Sequence, residues 1–315
     1  MKRRHPGIEL LRVMAAFLIV GCHVALVERT LMAQVFLYFC DAGVAVFAAI
    51  SGFLMAESFL VGGEFGLIKY SWRRILRLLP IYVVWSFFYL VARVTFDGVI
   101  AGKGICVQFG QVEFWLKVTF DGAAACHLWF IIHLLYAQLI CAVLWSFRGL
   151  RTPWFFLVAA AVCIGLATRP WGNLSYHFFR LSGFLLLGAW LRQIKVPLWN
   201  DRIRMIICCV GLILHVCCGS FCPRFVRDAM VVVPALLWAL SVQNVSVGLR
   251  AISDKSMGIF LWHPFFAVGI AFGVARFVSA PYSCLAIGAC WILAWVMAWV
   301  ATMACDKLPF RKFIH

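Results

Sequence analysis

Apolar runs of about twenty residues, separated by short polar or basic links, recur along the whole chain. A helix needs roughly that length to cross a ~30 Å hydrocarbon layer. The pattern predicts ten spanning helices, at about 8–27, 35–60, 76–96, 127–147, 154–169, 177–192, 205–220, 229–247, 256–276 and 281–304. The one extended connection is roughly 97–126, which carries Asp97, Lys103, Glu113, Lys117 and Asp121. No internal repeat or low-complexity tract divides the chain, so the expectation is a single all-α domain over 1–315, a polytopic helical bundle in a membrane.

Composition strengthens that reading. Of 315 residues, 65% are hydrophobic and 13% charged, and the mean hydropathy is +0.98. A soluble domain carries about 25% charged residues, so this chain has more apolar surface than a water-soluble core can bury. The start "MKRRHPGIELLRVMAAFLIVGCHVAL" also has the basic lead and apolar core of a secretory signal. Arg12 and His23 inside the run, the lack of a small-residue cleavage site and the many later spans argue against that reading.

The net charge is +16. Ten spans put both termini on one side, and most Lys and Arg fall at that side's helix ends, which predicts cytoplasmic termini. An anionic inner leaflet accounts for the positive charge, so nucleic acid is not required. Most of the 14 cysteines lie within spans. The pairs Cys208-Cys209 and Cys217-Cys218 lack metal-ligand spacing, and no metal is expected. Cys106 and Cys126 share the long connection and can pair if that side is oxidising.

Ionisable residues inside spans are costly and usually face protein or a wet cavity. In "ELLRVMAAFLIVGCHV", Glu9 and Arg12 stand i and i+3, on one helix face. Arg12 and His23 are eleven residues apart, which at 100° per residue falls about 20° from a whole number of turns. Both therefore point from one stripe, roughly 16 Å apart along the axis. A lone intramembrane His also serves as a helix–helix hydrogen-bond donor, and an Arg one turn inside can snorkel to the interface.

The second run, "DAGVAVFAAISGFLMAESF", holds Ser51-Gly52 at mid-span, where a second backbone can approach, and Glu57 near its end. "YSWRRILRLLPIYVVW" follows, with Arg73, Arg74 and Arg77 beside Lys69. Arg74 and Arg77 are three apart and can share a face. Such a cluster either sets topology or binds phosphate oxygens. "HLWFIIHLLY" supplies His127, Trp129 and His133, and "SMGIFLWHPFF" supplies His263 before Pro264.

Taken in order, "GIELLRVMAAFLIVGCHV", "GVAVFAAISGFLM", "WRRILRLLPIY", "HLWFIIHLLY", "FFRLSGFLLLGAWL" and "SMGIFLWHPFF" resemble the acyltransferase-3 family of bacterial integral-membrane acyltransferases. The match runs along the whole chain and is to the short stand-alone type, similar to surface-polysaccharide O-acetyltransferases. The resemblance implies transfer of an acyl group, usually acetyl, from acyl-CoA to a hydroxyl, often of a sugar. It implies a bacterial inner-membrane location. His23 would match the essential histidine and Arg12 its paired arginine, while Arg74, Arg77 and the adjacent Arg73 would bind the phosphates of acetyl-CoA. Glu9, Ser51, Glu57, His127, Trp129 and His263 would support the reaction or the acceptor. The partners implied are acyl-CoA, a glycan or glycolipid acceptor and membrane lipids; oligomeric state is left open. Trp115, Trp129 and Trp171 can stack on a sugar. The chain departs from the family pattern at Ala45 and Ala48, where many members carry an acid or proline and a phenylalanine, and at Glu9, where many carry aspartate.

A transporter of a sugar or lipid-linked product is the competing class, although carriers commonly show repeated halves. A non-catalytic partner in glycan assembly is a third, and would leave His23 dispensable.

Overall fold

Every described element is a helix. The computed structural model describes residues 5–25, 31–95, 111–121, 127–167, 173–194, 200–218, 222–277 and 284–307. Cys106, Cys126 and Trp171 lie outside these residues. The helices are α1 (Pro6–Ala25), α2 (Leu31–Thr95), α3 (Val112–Asp121), α4 (Trp129–Ser146), α5 (Pro153–Leu166), α6 (Asn173–Gln193), α7 (Asp201–Cys217), α8 (Arg224–Ala239), α9 (Val247–Asp254), α10 (Ser256–Phe277) and α11 (Cys284–Cys305).

Five stretches are long and apolar enough to cross a membrane: Pro6–Ala25, Ala33–Val61, Leu67–Thr95, Trp129–Ser146 and Leu285–Cys305. Pro153–Leu166 and Ser256–Ile270 are apolar but shorter. Helices α6, α7 and α8 stand where the pattern placed the remaining spans. Three features differ from the expected layout, one of them the short helix α9 between the eighth and ninth expected spans. The segment between the second and third expected spans stays helical, making α2 continuous over 65 residues. No proline falls there, and the first one inside α2 is Pro80. The long connection also contains a helix of its own, α3, with Lys117 bonded to Glu113 across one turn at 2.7 Å.

Helix ends follow local chemistry. Thr152 accepts a hydrogen bond from the Phe155 N–H ahead of Pro153 in the first turn of α5. Asn200 accepts one from Arg202 N–H at the start of α7. Along the second half of α2, Trp72, Leu76, Leu79, Val83, Phe87 and Val91 are all exposed at helical spacing. A continuous apolar stripe of this kind suits lipid and would be costly in water.

The chain divides into two compact units. The first comprises Met1–Ser51 and Ile194–His315. In it α1 packs against α8, α9, α10 and α11, and α7 pairs with α8. Its core joins Val20 and Val24 to Cys40, Ile259, Ala267, Ile287, Trp291 and Ala294. Trp291 donates its indole N–H to the Phe17 carbonyl at 2.7 Å and stacks on the Phe17 ring. Gly21 permits this packing, because a Cβ there would sit 2.6 Å from both Cys40 Sγ and the Trp291 ring.

The second unit, Gly52–Gln193, packs α6 against α4 and α5, and α3 against α4. Gly52 lies against the Leu185 backbone of α6, where any Cβ would overlap the carbonyl. Close backbone approach at a small residue is how membrane helices gain van der Waals contact without a hydrophobic driving force.

Candidate functional site

Within the first unit, α1 carries Glu9, Arg12 and His23 on one unbroken helix, so the eleven-residue spacing maps onto a single face. Arg12 and His23 are both half-buried. Glu9 is buried, with its carboxylate 3.8 Å from Arg250 of α9. Arg250 was not singled out from sequence.

His23 meets a second histidine. Its ring lies edge-on to His263 of α10, with centroids 4.8 Å apart. His263 is fully buried, and its Nδ1–H donates to the Phe260 carbonyl at 2.6 Å. The reason is local. Phe260 is four residues before Pro264, which has no N–H to close the usual helical bond to that carbonyl. The His263 ring supplies the missing donor, so one feature satisfies the helix backbone and fixes the ring's orientation. With Nδ1 protonated, Nε2 of a neutral His263 is the acceptor nitrogen. The sequence placed His263 beside a proline without showing what the proline does to the ring. Ser51, the last residue of this unit's first segment, is half-buried on α2.

The remaining candidates belong to the second unit. Arg74 is half-buried, with its guanidinium carbon 4.9 Å from the Tyr70 ring centroid. Tyr70 in turn packs edge-on against Phe59, which also touches Trp145. Arg73 and Arg77 are exposed on the same helix. One arginine of the cluster thus lies over an aromatic ring, and two are exposed. Glu57 pairs with Arg192 of α6 at 3.6 Å, and Arg192 also lies over the Phe53 ring. The sequence placed Glu57 near the end of its run; the structure supplies it with a partner from another helix.

His127 is buried against Tyr89, with ring centroids 4.9 Å apart. Trp129 stacks on His177 of α6 at 4.2 Å and also touches His133. Sequence reasoning did not single out His177, because it sits among ordinary interfacial aromatics in "SYHFF". Trp115 is exposed on α3.

Among the described residues, no group of three or more His, Cys, Asp or Glu is arranged to hold a metal ion.

The acyltransferase domain model Acyl_transf_3 matches residues 5–299. This chain belongs to the acyltransferase-3 family. The match spans both compact units and nearly the whole sequence. No curated protein and no solved structure matches the chain. Family membership and the five apolar helices together describe a membrane acyltransferase. Within this family setting, the His23 ring lies against a second ring that is itself oriented by a backbone carbonyl. The Arg74 group gives it guanidinium donors at one end of a membrane helix.

Proposed function

We propose that this acyltransferase moves an acyl group, acetyl in its main use, from acyl-CoA to a hydroxyl of a surface glycan, glycolipid or lipid-linked precursor. It would work in the bacterial inner membrane with its termini cytoplasmic. His23 acts as general base: its neutral imidazole accepts the acceptor hydroxyl's proton while that oxygen attacks the thioester carbonyl. The carbon–sulfur bond then breaks, and the proton passes from the imidazolium to the departing CoA thiolate. An imidazole suits this role because its ordinary pKa lies near neutrality.

The observation that carries the reading is the His23–His263 contact. A general base must be aimed as well as basic, and His263, itself anchored to Phe260, provides a fixed neighbour for the His23 ring. Arg12, on the same helix face, is proposed to bind negative charge on the donor. Arg74, Arg77 and Arg73 are proposed to bind the donor's phosphates through planar N–H pairs. Glu9, Ser51, Glu57, His127 and Trp129 take supporting roles.

The test is acetyl-CoA turnover by purified protein in nanodiscs, read as free thiol release with and without a glycan acceptor. Wild type should turn over. A correctly folded His23→Ala variant should not, and full activity in that variant would return His23 to packing.

A further inference from the structure

The proposed transfer makes no use of Arg227, although this cation is costly where it stands. It lies on α8 in the first unit and is only 5% exposed. Its guanidinium carbon sits 4.6 Å from the centroid of the Tyr38 ring. Its Nε and Nη1 are buried and have no hydrogen-bond partner. A guanidinium withdrawn from water is costly, and a cation–π contact offsets only part of that cost. Methionine would fill the same space without that cost, so packing does not account for the arginine.

The surroundings show what the charge can bind. Tyr38 also holds His215 of α7, whose Nε2–H donates to the Tyr38 carbonyl. His215 is 0% exposed, and its Nδ1 has no hydrogen-bond partner. One tyrosine therefore carries a guanidinium on its ring and an imidazole on its backbone. Asp41 lies one turn beyond Tyr38 and accepts from Arg224 through both carboxylate oxygens. Asp228 is buried at the next position of α8, about 100° round the helix from Arg227. Arg224, one turn before Arg227 on α8, is 39% exposed.

With its guanidinium carbon over Tyr38, Arg227 keeps its Nε–H and an Nη1–H for a ligand. Guanidinium N–H groups of this kind bind the oxygens of a phosphate or carboxylate. Nδ1 of neutral His215 is an acceptor and fits a neighbouring hydroxyl. The depth also fits. Cys40, two residues after Tyr38, packs against Gly21, and His23 follows Gly21 by two.

We infer that Arg227 and His215, both seated on Tyr38, form a binding site for an acidic sugar, taking its oxyanion and an adjacent hydroxyl. On the acyl-transfer reading, this ligand is the acceptor.

The experiment measures binding separately from turnover. The full chain in phosphatidylcholine nanodiscs is unfolded thermally with glucose 1-phosphate, methyl glucuronide or neutral methyl glucoside at matched ionic strength. Parallel nanodiscs contain phosphatidylglycerol. The acidic sugars should raise Tm and the neutral glycoside should not. Arg227→Gln should abolish the shift, and Arg202→Gln, on the exposed part of α7, should leave it unchanged. Should the Gln variant not fold, Arg227→Lys decides. It keeps the charge but loses the paired edge, and should weaken binding at least tenfold. If phosphatidylglycerol alone raises Tm through Arg227, the oxyanion is a lipid headgroup and the sugar assignment falls. The inference is also overturned by no acid-selective shift in wild type, or by a full shift in the Arg227 variants. Failure here with acetyl-CoA turnover intact would leave the proposed reaction standing; binding without turnover would do the reverse.

Discussion

His23 and His263 stand edge to edge, ring centroids 4.8 Å apart, though they come from the first and tenth helices. The contact depends on Pro264, which leaves the Phe260 carbonyl without its helical donor and so recruits the His263 ring. Replacing Pro264 with Ala restores a backbone N–H that competes for that carbonyl. Pro264→Ala should lower kcat for acetyl-CoA turnover while leaving KM for the donor nearly unchanged. His263→Ala should do the same more strongly. Equal activity in both variants would show that the anchored ring has no part in the chemistry.

His23→Ala removes the proposed base itself. A positioned general base contributes about 10²–10⁴-fold, so single-turnover acetyl transfer should fall by at least that range. Circular dichroism and thermal unfolding should match wild type, since His23 is only half-buried.

Arg74 and Arg77 should behave differently from the histidines. Arg74→Ala or Arg77→Ala removes binding common to ground and transition states, so KM for acetyl-CoA should rise with kcat little changed. A larger effect is expected at Arg74, whose guanidinium is held over Tyr70. Unchanged KM in both variants would assign the pair to membrane topology.

Gly52 is a packing position. Gly52→Val places side-chain carbons against the Leu185 backbone, which cannot move without displacing α6. Overpacking of this kind costs about 1–3 kcal/mol. The expected result is a lower Tm in detergent, with donor KM retained in the folded fraction.

Outside the spans, Lys117 hydrogen-bonds Glu113 and adds its charge, which together hold the carboxyl below its ordinary pKa. A carboxylate depressed in the folded state adds stability above its unfolded pKa and loses it as pH falls through the folded value. α3 should therefore fray as pH falls to the ordinary glutamate range and below. Glu113→Gln should remove that pH dependence. Both side chains are exposed, so the effect is small and salt-sensitive. Carbon NMR of the Glu113 carboxyl reads it directly; a midpoint at the ordinary value would mean the pair does not persist.

Much of this protein was legible in its linear pattern. Apolar run length foretold a helix at each of the expected spans, because a bilayer requires each crossing segment to satisfy its own backbone hydrogen bonds. The Arg12–His23 spacing was equally readable, since helical geometry converts residue count directly into direction. Family membership followed from short motifs in a fixed order, and the domain match over residues 5–299 agrees with it.

Partners were not legible. Glu9 meets Arg250, Glu57 meets Arg192, Asp41 meets Arg224, and His23 meets His263, each across helices far apart in sequence. The continuity of α2 and the short helix α3 were also missed, because hydropathy marks where a chain can enter lipid and not where helix ends. Sequence by itself determined which long apolar segments are helical and which residues are costly inside them, for those are local consequences of composition and a 3.6-residue turn. Only the tertiary structure decided which costly residues face one another. Helix rotation and depth are set by contacts such as Gly21 on Cys40 and Gly52 on Leu185, and no local rule contains them.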